Sequence, residues 1–229
     1  MVLYGISDLH LSFMCDKPMD VFKGWQHHDE RIKANWCRIV KQDDIVVLPG
    51  DFSWALKLED TLEDFKFLES LPGKKLILKG NHDLWWSTAK KINDFFNENN
   101  INSVQIVFNN CYPVGEYAVC GTRGWIKEKE ADNLILAREA GRLRASLDSA
   151  INLGLKPIVF LHYPVVHGSE VNEPIMQVLK EYGITKIYHG HIHGGGFASV
   201  VKEYDGITQK LISCDGIDFT PYPILEIKV

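Results

Sequence analysis

The chain has 229 residues, 45% hydrophobic and 24% charged, with a formal net charge of -5. That is enough apolar chain for a substantial core, and the mild acidity without a basic stripe disfavours long nucleic acid as a partner. Five widely spaced cysteines (Cys15, Cys37, Cys111, Cys120, Cys214) with no CxxC pair exclude a disulfide framework and predict free thiols in a reducing compartment.

The N-terminus runs directly into Val2-Leu3-Tyr4, with no signal-peptide pattern and no run long enough to span a bilayer. The default expectation is a cytoplasmic protein without a membrane segment. An apolar strand over residues 2–7 leads to Asp8-Leu9-His10. A long loop over 11–29 follows, and loops of that length in compact domains are often functional. Helix 26–41 places Ile32, Trp36, Ile39 and Val40 on one face. The His27-His28-Asp29-Glu30 cluster then reads as a solvated first turn in preference to a metal site.

Strand 44–48 ends at Gly50-Asp51. Helix 59–71 repeats Leu62, Phe65, Leu68 and Leu71 and stops at Pro72-Gly73. Strand 75–79 ends at Gly80-Asn81-His82-Asp83, where Gly80 permits a sharp turn. A helix over 84–98 is predicted next. The pattern then changes: 104–109 and 117–121 read as short strands with no helix between them, a hairpin-like pair. Asp132 opens a long helix to about Asn152, with Leu136, Ala140, Leu143, Leu147 and Ile151 on one stripe. Strand 157–161 delivers His162, helix 174–182 follows, and strand 185–188 delivers His189, His191 and His193. In the tail, 197–204 and 207–213 flank Asp205-Gly206, a two-residue hairpin signal, and 224–229 is a last strand. No repeat or linker divides the chain, so 1–229 reads as one domain of two facing sheets with helices outside.

The strand ends collect Asp8, His10, Asp51, Asn81, His162, His191 and His193. Open α/β sheets bind ligands at such ends. An oxygen and nitrogen set without thiolate suits manganese, iron, zinc or cobalt and is too nitrogen-rich for calcium. Seven donors exceed what one ion needs if it also keeps a water. They suffice for two ions that share a carboxylate.

Asp8-Leu9-His10, Gly50-Asp51, Gly80-Asn81-His82-Asp83, the isolated His162 and Gly190-His191-Ile192-His193 resemble, in this order, the motifs of the calcineurin-like metallophosphoesterases. The resemblance spans residues 8–193. It implies an α/β fold, a four-layer αββα sandwich of two mixed sheets with flanking helices. It implies two divalent ions, manganese first, with iron, zinc or cobalt as alternatives. One ion would be held by Asp8, His10, Asp51 and His193, and the other by Asp51, Asn81, His162 and His191, with Asp51 bridging. His82 would be the general acid, oriented by Asp83. The implied reaction is hydrolysis of a small phosphomonoester or phosphodiester by a hydroxide bridging the two metals. The alternatives are a nuclease, a cyclic-nucleotide phosphodiesterase, or a non-catalytic metal-binding scaffold.

Departures from the pattern carry information. Phe52-Ser53-Trp54 after Asp51 lacks the Asp-Arg pair of Ser/Thr protein phosphatases, which tells against that branch. Arg123, in the loop Gly121-Thr122-Arg123-Gly124-Trp125, is a candidate fork for substrate phosphate. Trp54, Trp85 and Trp86 are candidates to stack on an aromatic substrate, with core packing as the alternative. His167 and His189 fall outside the motifs and read as supporting or structural residues. Nothing in the sequence marks an oligomeric state.

Overall fold

The computed structural model describes residues 1–126 and 132–227. In chain order the elements are β1 (Val2–Gly5), α1 (His28–Ile39), β2 (Ile45–Pro49), α2 (Leu62–Glu69), β3 (Lys74–Leu78), α3 (Ala89–Glu98), β4 (Val104–Ile106), β5 (Tyr112–Val114), β6 (Tyr117–Thr122), α4 (Asn133–Asn152), β7 (Lys156–Leu161), β8 (Val166–His167), β9 (Glu170–Val171), α5 (Glu173–Glu181), β10 (Lys186–His189), β11 (Glu203–Tyr204), β12 (Ile207–Leu211) and β13 (Tyr222–Glu226). One sheet has the order β13-β1-β2-β3-β4 and the other β11-β12-β10-β7-β6-β5. Central pairs are parallel, and β13, β11 and β5 add antiparallel edges.

Strands buried on both faces explain the continuous apolar runs. In β2, Val46 and Leu48 pack with Ile32 and Trp36 of α1, Phe65 and Leu68 of α2, and Ile92 and Phe96 of α3. The alternate residues Ile45 and Val47 face the second sheet and join Leu3, Leu76, Val119, Phe160 and Tyr188. On the far side, Leu143 and Leu147 of α4 and Ile175 and Leu179 of α5 cover Cys120, Val159 and Ile187. These three apolar layers make the expected four-layer αββα sandwich. Among the described residues, no helix is long and apolar enough to cross a membrane.

Several boundaries differ from the sequence reading. The helix predicted over 84–98 begins only at Ala89, where the Thr88 hydroxyl caps it by accepting from the Lys91 amide at 3.3 Å. The preceding turn instead sends Trp85 into the core. The pair 104–109 and 117–121 is not a hairpin: β4 lies beside β3 in the first sheet, and β6 lies between β5 and β7 in the second. The hairpin partner of β6 is Tyr112–Val114, reached through Gly115 at φ +60°. The α4 stripe ends on buried Ala150, and Ile151 points to solvent. The segment predicted as a strand from 197 is a 3-10 helix over Gly194–Ser199, and only Glu203–Tyr204 pairs across Asp205-Gly206. The last strand is Tyr222–Glu226, and positions 228–229 lie outside the described residues.

A buried lysine gives the fold a testable pH signature. Lys75 in β3 has no solvent exposure; its Nζ donates to the Leu71 carbonyl and, at 3.0 Å, to the Ser103 hydroxyl. Burial pushes its pKa down to about 8, partly opposed by the Glu69 charge. Between pH 8 and the ordinary lysine value of roughly 10.4, the unfolded chain holds a proton that the folded chain has released, so this residue makes stability rise with pH. Denaturant unfolding of Lys75→Met at pH 7 and pH 9.5 is expected to lack that rise. An unchanged pH slope would place the buried proton elsewhere.

Candidate metal centre

The carboxyl ends of β1, β2 and β3 in one sheet meet those of β7 and β10 in the other. Short backbone bonds lock the connecting turns together: the Asp8 amide donates to the Gly50 carbonyl at 3.0 Å, His10 to Asp51 at 3.0 Å, and Gly190 to His162 at 3.1 Å. Ligand atoms of Asp8, His10 and His193 lie within 4.8 Å of one another, and so do those of Asp51, His162 and His191. Asn81 adds its Oδ1 at 2.6 Å from His162 Nε2 and 2.9 Å from His191 Nδ1. All seven strand-end candidates therefore converge. Asp51 stands between the groups: its Oδ2 is 3.9 Å from His10 Nε2 and 3.4 Å from His162 Nε2.

The local backbone is arranged around this convergence. Asp8, His10, Asp51 and His191 all sit at positive φ, at +61°, +48°, +51° and +72°. Left-handed conformations disfavour residues with a Cβ and each costs on the order of 1–3 kcal/mol, so strain is concentrated on the donors themselves. Gly80 serves close approach: a Cβ there would lie 2.1 Å from Asp51 Oδ1 and 2.2 Å from the Asp51 nitrogen. Gly190 does the same against Ser7 Oγ and Asp8 Oδ2, at 2.1 and 2.2 Å.

The electrostatics match a cation site. Asp8, Asp51 and Asp83 are three buried carboxylates in one cluster. Burial, then the charges of Asp8 and Asp83, push the Asp51 pKa up to about 9. Burial works against ionised Asp8 too, but His193, His162 and His10 hold it well below the usual carboxylate range. Burial pushes His162 down to about 3 and His191 to about 4, and moves His10 well below its ordinary value. Neutral imidazoles offer lone pairs. His162 Nδ1 lies 3.1 Å from the Pro49 carbonyl, which can only accept, so that nitrogen carries the proton and Nε2 is left for a ligand. Burial opposes a charged His193, yet Asp8 and the hydrogen bonds to Asp215 and Asp8 push it up to about 10.

His82 and Asp83 are not a pair. Asp83 Oδ1 accepts from the Phe52 and Ser53 amides at 3.0 and 3.3 Å and from Trp85 Nε1 at 3.0 Å. Its Oδ2 accepts from the Asp51 and Gly80 amides at 2.9 and 2.7 Å. Those contacts tie the Asp51 turn to the Asn81 turn, and the His82 ring is not among them. The expected orienting contact from Asp83 to the His82 ring is not found among the described residues, and the five bonds that Asp83 accepts suit a staple between two ligand loops. His82 is instead set by its amide, which donates to Asp51 Oδ1 at 2.7 Å, and by Trp54, whose ring centroid is 4.4 Å away.

The tryptophans divide in the same way. Trp85 is 2% exposed and packs edge-on against Phe65 at 5.4 Å, so it cannot stack on substrate. Trp86 packs against it at 5.2 Å. Trp54, half-buried, stacks on His10 at 4.7 Å and so faces the centre, where Trp25 also packs against His10 and His193 at 5.9 and 5.5 Å. Arg123 accepts the His162 and Tyr163 amides with its carbonyl, while its guanidinium pairs with buried Glu139 at 3.5 Å and lies over Trp125. Arg142 and the Thr122 hydroxyl reach the same Glu139 carboxylate at 2.6 and 2.5 Å. His189 is fully buried, with Nδ1 3.0 Å from the Gly190 carbonyl, a structural place.

The tail contributes contacts that no motif announced. Ser213 Oγ donates to Asp8 Oδ2 at 3.0 Å, the Cys214 thiol lies 3.0 Å from the Asp8 carbonyl, and Asp215 Oδ1 is 2.8 Å from His193 Nδ1. The sequence signal was slight: a polar pair, Ser213 and Asp215, at the end of a strand of mixed polarity.

Comparison with known proteins adds three findings. A family described as calcineurin-like phosphoesterase matches residues 1–195. No curated protein matches the chain. Among solved structures, a protein of unknown function from Aquifex aeolicus is similar at TM-score 0.56 and 18% identity, over 97% of this chain and 95% of that one. The phosphopantetheinyl hydrolase of Mycobacterium tuberculosis is similar at TM-score 0.51 and 14% identity, over 99% and 96%. At such identities the likeness concerns the fold.

Proposed function

Because the chain belongs to the calcineurin-like phosphoesterase family, we propose that it hydrolyses a small phosphate ester, mono- or diester, with two divalent ions, manganese first. The observation that carries this reading is the pair of adjacent donor triads, Asp8–His10–His193 and Asp51–His162–His191, with Asp51 Oδ2 also reaching within 3.9 Å of His10 in the first. The donor set fits such ions: neutral imidazoles at His10, His162 and His191, an amide oxygen, and carboxylates whose mutual repulsion two cations would relieve, while His193 would give up its Nε2 proton on binding. Asp8, His10, Asp51 and His193 would hold one ion, and Asp51, Asn81, His162 and His191 the other. When bound, such a pair supplies Lewis acidity for phosphoryl oxygens and acidifies water near neutral pH.

The chain's own residues would supply orientation and the proton for the leaving group. His82 is half-buried at the mouth, and burial lowers its pKa, with the Asp8 charge opposing. An anionic ester beside it shifts the balance toward imidazolium, the form that donates. Trp54 forms the wall next to His82, where a leaving group would lie. Among the described residues, Lys79, Arg123 and Arg142 gather around the Glu139 carboxylate near the ends of β3 and β6, an excess of positive charge there that favours approach of phosphate and keeps Arg123 as a candidate contact. The free cysteines of the described residues suit a reducing, cytoplasmic setting.

The test is metal add-back to chelator-treated protein, with p-nitrophenyl phosphate and bis(p-nitrophenyl) phosphate as substrates. Turnover that returns with two equivalents of manganese is expected; two bound ions and no turnover on a broad ester panel favours the scaffold reading. His82→Ala is expected to keep both ions. It should lose about 10²-fold in kcat on alkyl esters and little on p-nitrophenyl esters, whose leaving group needs no proton. Equal losses on both would remove His82 from the role of general acid.

A further inference from the structure

The family match ends at residue 195, yet the centre does not. From the geometry we infer that Asp215, with Ser213 beside it, is a positioning residue for the Asp8–His10–His193 half of the centre; this rests on the metal reading above. The end of β12 runs alongside the end of β1. Ser7 and Ser213 form a parallel bridge, the Ser7 amide donates to the Ile212 carbonyl at 2.9 Å, and the Cys214 amide donates to the Ser7 carbonyl at 2.9 Å. This register puts residues 213–215 behind Asp8 and His193.

Both Asp215 oxygens are committed. Oδ1 is 2.8 Å from His193 Nδ1, and Oδ2 accepts the Gly194 amide at 3.0 Å. Two contacts on one carboxylate fix its plane and therefore the plane of the ring it holds. The Asp215 side chain is 11% exposed, so water competes little for the bond. A carboxylate facing Nδ1 keeps the proton on that nitrogen when an ion displaces the Nε2 proton, so that Nε2 is the atom that would ligate. Nε2 is the atom that points at Asp8 Oδ1, 3.2 Å away, inside the triad.

Ser213 and the His191 amide complete the cradle. Ser213 Oγ donates to Asp8 Oδ2, and the His191 amide donates to both Asp8 oxygens at 3.0 Å. The second group has a different support: His162 leans on the Pro49 carbonyl, and Asn81 meets its two imidazoles directly. Residues 213–215 touch none of those side chains among the contacts of the described residues. Asp215 should therefore govern one ion and leave the other alone.

The experiment is manganese titration of chelator-treated protein, reading bound equivalents and affinities by electron paramagnetic resonance of free manganese. Wild type is compared with Asp215→Ala and Asp215→Asn. Asp215→Ala is expected to weaken one of the two sites about 10- to 100-fold and leave the other unchanged. Asp215→Asn, whose amide oxygen still accepts from Nδ1–H, is expected to fall between wild type and alanine. Thermal unfolding of the metal-free chains checks that the alanine variant folds; if it does not, the asparagine variant decides. Two wild-type sites in the variants, or equal weakening of both sites, overturns the inference while leaving the phosphoesterase reading standing. Absence of any bound ion in wild type would instead overturn the metal reading and take this inference with it.

Discussion

Asp51→Asn is expected to abolish turnover and at the same time make the metal-free chain harder to unfold. The activity arm follows from position: Asp51 Oδ2 faces imidazoles of both donor groups, so its loss should reduce two bound ions to one or none and lower kcat/KM by on the order of 10³-fold. The stability arm follows from charge. Burial and the neighbouring Asp8 and Asp83 push the Asp51 pKa up to about 9. A carboxyl whose folded pKa is raised stabilises fully only below its unfolded pKa, about 4, and that stabilisation is lost as pH rises through 9. At pH 8 the wild-type chain carries this penalty and the asparagine variant does not. Denaturant midpoints at pH 8 with chelator present, beside metal counting and turnover, check both arms. A variant that binds two ions and turns over normally would end the bridging assignment.

Asp83→Ala should be the most destabilising single change at the centre. It leaves four backbone amides and the Trp85 indole without their acceptor, all in a region with no solvent exposure at Asp83. Each buried unsatisfied donor costs about 1–3 kcal/mol, and partial relaxation brings the sum to roughly 4 kcal/mol. For a chain of this size that is a fall of about 10 °C in Tm. Asp83→Asn should fall less far: its one oxygen can keep the three donors on Oδ1, while its amide group faces the Asp51 and Gly80 amides. Manganese affinity should drop in both variants, because the Asp51 and Asn81 turns lose their common anchor. Calorimetry showing both variants within 2 °C of wild type would refute the staple role.

The strand-end donors were legible because each follows an apolar run that a doubly covered sheet requires, and their residue types are the ones a borderline cation takes. Asp83 was legible as a site residue but not in its role. Adjacency to His82 in sequence suggested a pair, while the fold turns the two side chains to different neighbours. The 104–109 and 117–121 segments show a second limit. Strand length and apolar pattern say that a strand forms, not which sheet accepts it, and a three-residue edge strand with Pro113 carries almost no signal. The αL conformations of Asp8, His10, Asp51 and His191 were not legible either: aspartate and histidine tolerate αL more than most residues, yet they adopt it too rarely for the residue type alone to mark these positions. Ser213 and Asp215 lay outside every motif because their partners are about 200 and 20 residues away in the chain.

The pairing of β13 and the Ser213 segment with β1 has a consequence for biosynthesis. Ser213, which braces Asp8, leaves the ribosome 205 residues after it. Until then one edge of β1 is bare, an invitation to wrong pairing. Nascent chains can gather the donors without holding them still. Firm capture of the ions should therefore wait until residues 213–226 have emerged, and a chain stalled before them should be both leaky for metal and prone to aggregate.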